Sequence, residues 1–500
     1  MTYQPFIGLE VHIHLLTKSK VFCDCPSSFG DAPNTHICPV CMGYPGVLPS
    51  LNIEAMRMGC TVARALGCRI PEKTWFERKQ YFYPDMTKNY QISQFASPLG
   101  QDGCVELEGR GAGGKPVKKQ VRIKECHLEE DAGKMIHTGS VSLLDYNRAG
   151  VSLLEIVTEP DMETGEEAEL FIRQLRRMVR YLGVCDGNME EGSLRADANV
   201  SINLPGKGLG RKVEIKNLNS SRFVKLALNY EIARQGELLD AGKTVVQETR
   251  LWNENRDETL PMRTKENAQD YRYFPEPDLP VFVPGADFLK TVEDSLAELP
   301  QARIRRMMTD YSLGEEQADL ICDEKAEADY FEAAVAAARE AGLDVKDAAT
   351  RIANCLLTDV KRILARDGLS PVDLPAFRLT PRRLAGIVVP VSRGRLSTKN
   401  AKEALEAVIA SDQDPEELIK ARGWELISDP AVIAGAVKAV YAEETAVFAE
   451  AAAAANPKRR QTLRAFLLGK VLQKTGGRAD PKIVQEQIEE RIQSAASAAG

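Results

Sequence analysis

Ile7-Gly8-Leu9-Glu10-Val11-His12-Ile13-His14-Leu15 is the stretch on which the fold turns. Ile7, Leu9, Val11, Ile13 and Leu15 alternate with Gly8, Glu10, His12 and His14, and period-two alternation places the five apolar residues on one face of a β-strand. Glu10, His12 and His14 then share the other face, about 7 Å between successive even positions at a rise of about 3.3 Å per residue. A carboxylate and two imidazoles in a row can bind a metal or move protons. A polar, solvent-washed strand face is the plainer account of the same three residues.

Outward from this strand comes Cys23-Asp24-Cys25, then Cys38-Pro39-Val40-Cys41, in a loop region carrying Pro26, Gly30, Pro33 and Pro39. Two closely spaced cysteine pairs fit a tetrahedral structural Zn²⁺ site, because each short loop aims two thiolates at one ion. Four buried free thiols are the alternative. Cys60, Cys68, Cys104, Cys126, Cys185, Cys322 and Cys355 are scattered and read as small core residues. Eleven cysteines, an odd number, with no export signal argue against a disulfide framework.

Cys104–Glu108 and Val117–Lys124 flank a glycine-rich loop, Gly109-Arg110-Gly111-Ala112-Gly113-Gly114-Lys115. The loop matches two phosphate-binding patterns, but both need a helix after the glycines. Here Pro116 is followed by a strand pattern, so the loop reads as a hairpin turn. Glu125-Cys126-His127-Leu128-Glu129-Glu130-Asp131 then places four carboxylates in seven residues, which an exposed acidic turn would also explain. Ser152-Leu153-Leu154-Glu155-Ile156-Val157 sets one carboxylate inside an apolar strand, where a charge is costly unless paired or coordinating a metal. Glu10, His12, Glu129 and Glu155 together make one strand-borne hard-metal site, of the kind Mg²⁺ takes with phosphate oxygens.

Thr164 and Glu167 form a capping box for a helix whose apolar face is Phe171, Leu175, Met178, Val179 and Leu182. Strand patterns return around Ala198–Ile202 and Val213–Ile215. The fold class expected is α+β: a large mixed-sheet domain over 1–292, ending at Pro275, Pro277, Pro280 and Pro284, then alanine-rich helical domains over 293–410 and 411–500. Asp412-Gln413-Asp414-Pro415 marks the break between the helical domains. Asn456 to Lys482 holds eight basic residues against Asp480 alone. In a chain of net charge −7 that is a local patch suited to a phosphate backbone, although a solvated helix face would look the same.

At 500 residues, 44% apolar and 27% charged, the composition is that of an ordinary globular protein. No apolar run approaches the roughly 18 residues that span a bilayer, and Met1-Thr2-Tyr3-Gln4-Pro5 carries no signal pattern, so a cytoplasmic location is expected. All five histidines lie in the first 137 residues, which puts imidazole chemistry near the N-terminus.

GLEVH (Gly8–His12), YPGVLPSLN (Tyr44–Asn52), YFYPDMTKNYQISQ (Tyr81–Gln94), HLEEDAGK (His127–Lys134) and LLEIVTEPD (Leu153–Asp161) resemble the B-subunit family of the tRNA-dependent amidotransferases. EEGSLRADANVS (Glu190–Ser201), EIKNLNS (Glu214–Ser220), DYRYFPEPDLP (Asp270–Pro280) and FLLGKVLQKTGGRADP (Phe466–Pro481) extend the likeness. The resemblance implies a ligase that phosphorylates the side-chain carboxylate of misacylated Glu-tRNA(Gln), and of Asp-tRNA(Asn), with ATP and Mg²⁺. Ammonia channelled from an amidase partner then gives the amide, and a small third subunit makes the whole a heterotrimer. It implies a "cradle" catalytic domain and tail helices that engage tRNA.

Position by position, the resemblance makes His12, Glu129 and Glu155 the Mg²⁺ ligands, with Glu10 beside them. It makes Glu130 the ammonia relay at the channel mouth, Lys79 a catalytic lysine nearby, and Cys23, Cys25, Cys38 and Cys41 the Zn²⁺ ligands. In the tail, Lys458, Arg459, Arg464, Lys470 and Lys474 become the candidate tRNA contacts. A zinc-bearing tRNA-binding module without catalysis is the competing reading of the cysteines and the basic patch, and a free-standing metallohydrolase that of Glu10, His12 and His14.

Overall fold

The first strand forms as its alternation dictates: β1 runs Gln4–His14, with Ile7, Leu9, Val11 and Ile13 at most 1% exposed. The computed structural model describes residues 2–264, 271–411, 413–427, 429–454 and 456–499. Asp412 of the expected interdomain break and Asp270 of the DYRYFPEPDLP motif fall outside them. After β1 come β2 (Glu77–Gln80), β3 (Tyr90–Ser93), β4 (Gly100–Arg110), β5 (Pro116–Glu130), β6 (Lys134–Thr138), β7 (Val141–Asp145) and β8 (Ser152–Thr158). β9 (Leu194–Asn203), β10 (Val213–Leu218), β11 (Glu248–Asn253), β12 (Glu258–Thr264) and β13 (Phe274–Pro275) complete the strands among the described residues.

Eight of them form one mixed sheet in the order β12-β11-β10-β9-β1-β8-β5-β4. Every neighbouring pair is antiparallel except β10 with β11. β1 is therefore interior, flanked by strands about 140 and 190 residues away in sequence. One face of the sheet is closed by α1 (Ile53–Ala65), α2 (Gly165–Tyr181) and α3 (Ser221–Asp240). Between them lies the main core, which takes Ile7, Leu9, Val11 and Ile13 from β1 and Leu154 and Ile156 from β8. The even positions of β1 consequently point away from the helices. The small sheet β13-β2-β3 is separate, as is the β6-β7 hairpin.

Local signals account for much of this. Thr164 accepts from the Glu167 N–H and starts α2, but Glu167 returns its bond to the Glu163 N–H instead of to Thr164. The glycine-rich loop is the turn of a hairpin, with Arg110 opposite Pro116 and Gly111 N–H donating to Lys115 O. The acidic stretch after it is strand, not turn, as far as Glu130.

By contacts the chain divides into Met1–Pro300 and Gln301–Gly500. The second unit is helical and holds two cores. One gathers Phe331, Ile352, Leu384, Leu405, Leu418 and Ile419, and the other Ile433, Phe448, Leu467, Val484 and Ile488. Among the described residues no helix is long and apolar enough to cross a membrane.

Candidate active site

The sheet face opposite the helices carries the polar side chains, and strand register brings them together. Arg195 of β9, His12 of β1, Glu155 of β8 and His127 of β5 are successive cross-strand partners, so they form one row. Glu129 lies one step along, opposite Leu153, which in turn faces His14. Same-face neighbours across antiparallel strands sit within side-chain reach.

His12 Nε2 lies 3.3 Å from Glu155 Oε2 and 4.0 Å from Glu129 Oε1. One donor atom from each of His12, Glu129 and Glu155 falls within 4.8 Å of the others, the arrangement a divalent ion requires. One nitrogen and two carboxylates leave positions for water and phosphate oxygens, which suits Mg²⁺. His127 Nε2 is 2.9 Å from Glu155 Oε2 and orients that carboxylate from the far side. Ser93 Oγ donates to Glu129 Oε2 at 3.1 Å. Burial pulls the His12 and His127 imidazoles down, but Glu155 and Glu129 more than offset it and hold both above the ordinary value. Burial likewise works against the Glu155 charge, yet the two imidazoles keep its carboxyl well below the usual range.

His12 and Glu129 of the triad open on a cavity of about 290 Å³ lined also by Lys79, Arg195, Asp197 and Tyr271, among others. Lys79 therefore reaches the metal-triad cavity, with its ammonium 5.0 Å from the Tyr271 ring centroid. Asp131, at the same wall, is buried, accepts from His14 and Arg195, and forms an ion pair with Arg148. Burial opposes its charge, but Arg195, His14 and Arg148 hold the carboxyl far below its ordinary value. His14 is thus engaged with Asp131 and is not part of the triad.

Glu130, one residue on from Glu129, points to the other side of β5. Lys88 Nζ meets its Oε2 at 2.6 Å and the Ile92 N–H donates to its Oε1 at 2.8 Å. Glu130 lines a second cavity with Lys88, Phe22, Tyr44, Cys23 and Cys41, so it is not brought together with Lys79. Glu10 also stands apart from the triad. Asn199 Nδ2 donates to it at 2.8 Å, and its carboxylate converges with Asp197 and Glu214 within 4.8 Å. Lys216 sits among these acids, 3.0 Å from Glu214, so a second cation there would compete with an ammonium already in place.

Cys23, Cys25, Cys38 and Cys41 bring their four sulfurs within 4.8 Å of one another, which fits one tetrahedral Zn²⁺. A bond from the Cys23 thiol holds Cys41 well below the ordinary thiol range, and the ammonium of Lys20 acts in the same direction. Lys20 is fully buried: its Nζ donates to His36 O at 2.7 Å and Tyr146 O at 3.2 Å, and lies 3.7 Å from Cys41 Sγ. Of the scattered cysteines, Cys60, Cys68, Cys126, Cys185 and Cys322 are buried as expected, whereas Cys104 is exposed.

In the tail, four of the five candidate tRNA contacts meet carboxylates. Arg459 pairs with Glu450, Arg464 with Glu489, Lys470 with Glu444 and Lys474 with Glu443. Charge counting misses this, because the acids come from neighbouring helices. It also misses His127, Lys88, Asp197 and Glu214. For His127 a signal was present: Glu125, His127 and Glu129 alternate with Cys126, Leu128 and Glu130.

Residues 5–290 match the family model described as the GatB/GatE catalytic domain, and residues 329–492 match the GatB domain. The chain is similar to the B subunit of the aspartyl/glutamyl-tRNA(Asn/Gln) amidotransferase of Thermodesulfovibrio yellowstonii, at 42% identity over 98% of this chain and 99% of that protein. The same-named proteins of Acaryochloris marina and Carboxydothermus hydrogenoformans are 42% and 40% identical, each over 98% of this chain and at least 98% of their own length.

Proposed function

Because the chain belongs to the GatB family of tRNA-dependent amidotransferase subunits, we propose that its sheet face carries out the ATP-dependent half of that reaction. The protein is a ligase component: misacylated Glu-tRNA(Gln) and Asp-tRNA(Asn) are converted to Gln-tRNA(Gln) and Asn-tRNA(Asn) with hydrolysis of ATP. A free carboxylate resists attack because oxide would have to leave. Transfer of the γ-phosphoryl group from ATP to the carboxylate oxygen gives an acyl phosphate and ADP. Ammonia then attacks the carbonyl carbon, phosphate leaves with the C–O bond electrons and takes up the proton that the nitrogen sheds, and the amide remains.

The observation that carries this reading is the convergence of His12, Glu129 and Glu155 from three strands, with His12 and Glu129 lining one cavity. Mg²⁺ bound there supplies charge neutralisation for phosphoryl transfer. His12, Glu129 and Glu155 are its holders, with His127 and Ser93 fixing the two carboxylates. Lys79 and Arg195 supply positive charge to the cavity wall. Glu130, held by Lys88, accepts a proton from incoming ammonium, since only neutral ammonia has the lone pair to attack. Glu10 stands with Asp197 one step along the sheet and orders that side of the site. Zn²⁺ in the four-cysteine site fixes the loop that borders the Glu130 cavity.

Ammonia comes from an amidase partner, a small third subunit joins the two, and the tail residues Lys458, Arg459, Arg464, Lys470 and Lys474 steer the tRNA. The partner proteins are tested by co-purification. The site is tested by ADP release from ATP. Release should require Glu-tRNA(Gln) and should vanish in Glu155→Ala; release that ignores charged tRNA would refute the assignment.

A further inference from the structure

Beside the metal triad stands a set of aromatic rings that the mechanism above leaves unused. The Phe95 and Tyr273 rings lie parallel, 4.3 Å apart at 11°. Among the ring pairs of the described residues this is the one in a parallel stack; the others meet edge-on or tilted. Tyr271 adjoins Tyr273 at 6.1 Å and lines the triad cavity, with the Lys79 ammonium over its ring. Tyr273 itself lies within the electrostatic reach of Glu129 and Glu155.

The outermost ring, Phe95, is 61% exposed although its backbone is tied down: its N–H and that of Ala96 both donate to the buried Glu77 carboxylate. An apolar ring held rigidly in water, already in parallel register with a second ring, is preorganised to extend the stack by one more flat face. The cation on the platform's own side is Lys79, over the Tyr271 ring, while Arg78, Lys88 and Tyr90 lie on the other face of the small sheet. Aromatic faces alternating with cations are the recognition chemistry of nucleotide bases joined to phosphates.

We propose that Phe95, Tyr273 and Tyr271 form a stacking platform for a nucleotide base at the rim of the metal-triad cavity, with Lys79 beside them for phosphate. The inference rests on the function proposed above, which supplies two sources of that chemistry: the adenine of ATP and the terminal base of the charged tRNA. Either would place its phosphate or its acyl group toward His12, Glu129 and Glu155.

The experiment compares wild type, Phe95→Ala and Phe95→Tyr, each in complex with its partner proteins. ADP release is measured while ATP and Glu-tRNA(Gln) are varied in turn, the other being saturating. Loss of one stacking face should raise one KM about tenfold with kcat little changed, and Phe95→Tyr should restore it. A rise in the KM of ATP assigns the platform to adenine, and a rise in that of tRNA assigns it to the terminal base. If both KM values stay within twofold in Phe95→Ala, or if kcat alone falls, the platform is wrong while the catalytic assignment stands. If wild type itself releases no ADP with charged tRNA, the proposed function fails, and the platform with it.

Discussion

Glu155 is a carboxylate that an apolar strand should exclude, and its retention is explained by what surrounds it. His127 at 2.9 Å and His12 at 3.3 Å face it from either side, and both imidazoles favour its ionised form. Burying such a charge without partners would cost several kcal/mol. This residue was legible in the sequence for that reason: one acid among Leu153, Leu154, Ile156 and Val157 demands a partner. Its partners were less legible, because register between strands about 140 residues apart is not written in either strand. Glu129→Ala and Glu155→Ala should each abolish ATP-dependent amide formation, a loss of at least about a thousandfold for a phosphoryl-transfer metal site. Filter binding should show charged tRNA still retained by both proteins. Full activity in either would remove the triad from the mechanism.

At the scale of elements, β1 shows how far periodicity reaches. Alternation placed Glu10, His12 and His14 on one face, and they do share it, yet each serves a different neighbourhood. His12 joins the triad, His14 meets Asp131, and Glu10 meets Asn199 beside Asp197 and Glu214. Four other strands, β5, β8, β9 and β10, contribute those distinctions, so one strand's pattern could not. The cysteine loop is the opposite case, since its ligand spacing is local and the four sulfurs converge as the spacing suggests. Purified protein should hold zinc in a near one-to-one ratio by emission spectroscopy, and Cys25→Ser should lower both zinc content and melting temperature. Unchanged zinc content would rule the cluster out.

In the helical unit, Glu327 on helix Lys325–Glu340 is 1% exposed, and burial pushes its carboxyl up to about 7 despite Lys361 at 3.0 Å. A raised folded-state value means the native state binds the extra proton. Its stabilising effect is complete below the unfolded value near 4.5 and is lost as pH rises through about 7. The swing between those limits is about 3 kcal/mol. Glu327→Gln should therefore gain stability relative to wild type between pH 5 and pH 8, read as the difference in melting temperature. A difference that does not change with pH would show that Glu327 titrates normally.

For the whole molecule, net charge and local charge give different answers. The chain is acidic overall, and the basic run from Asn456 to Lys482 suggested a phosphate patch, but neighbouring helices supply Glu443, Glu444, Glu450 and Glu489 against it. Exposed ion pairs are worth at most about 1 kcal/mol, so phosphates can displace these acids at little cost. Arg464→Glu with Lys470→Glu should weaken charged-tRNA binding and reduce its logarithmic salt slope by roughly 1–2, with kcat at saturating tRNA unchanged. An unaltered slope would place the tRNA contacts elsewhere.

The most direct test of the central claim uses the chain with its partner proteins, Glu-tRNA(Gln), ATP and Mg²⁺. Gln-tRNA formation is followed with glutamine as donor and then with ammonium chloride. Product from both donors in wild type, and from neither in Glu129→Ala, is the predicted result. Product that persists in Glu129→Ala with either donor would contradict an ATP-dependent step on this sheet face.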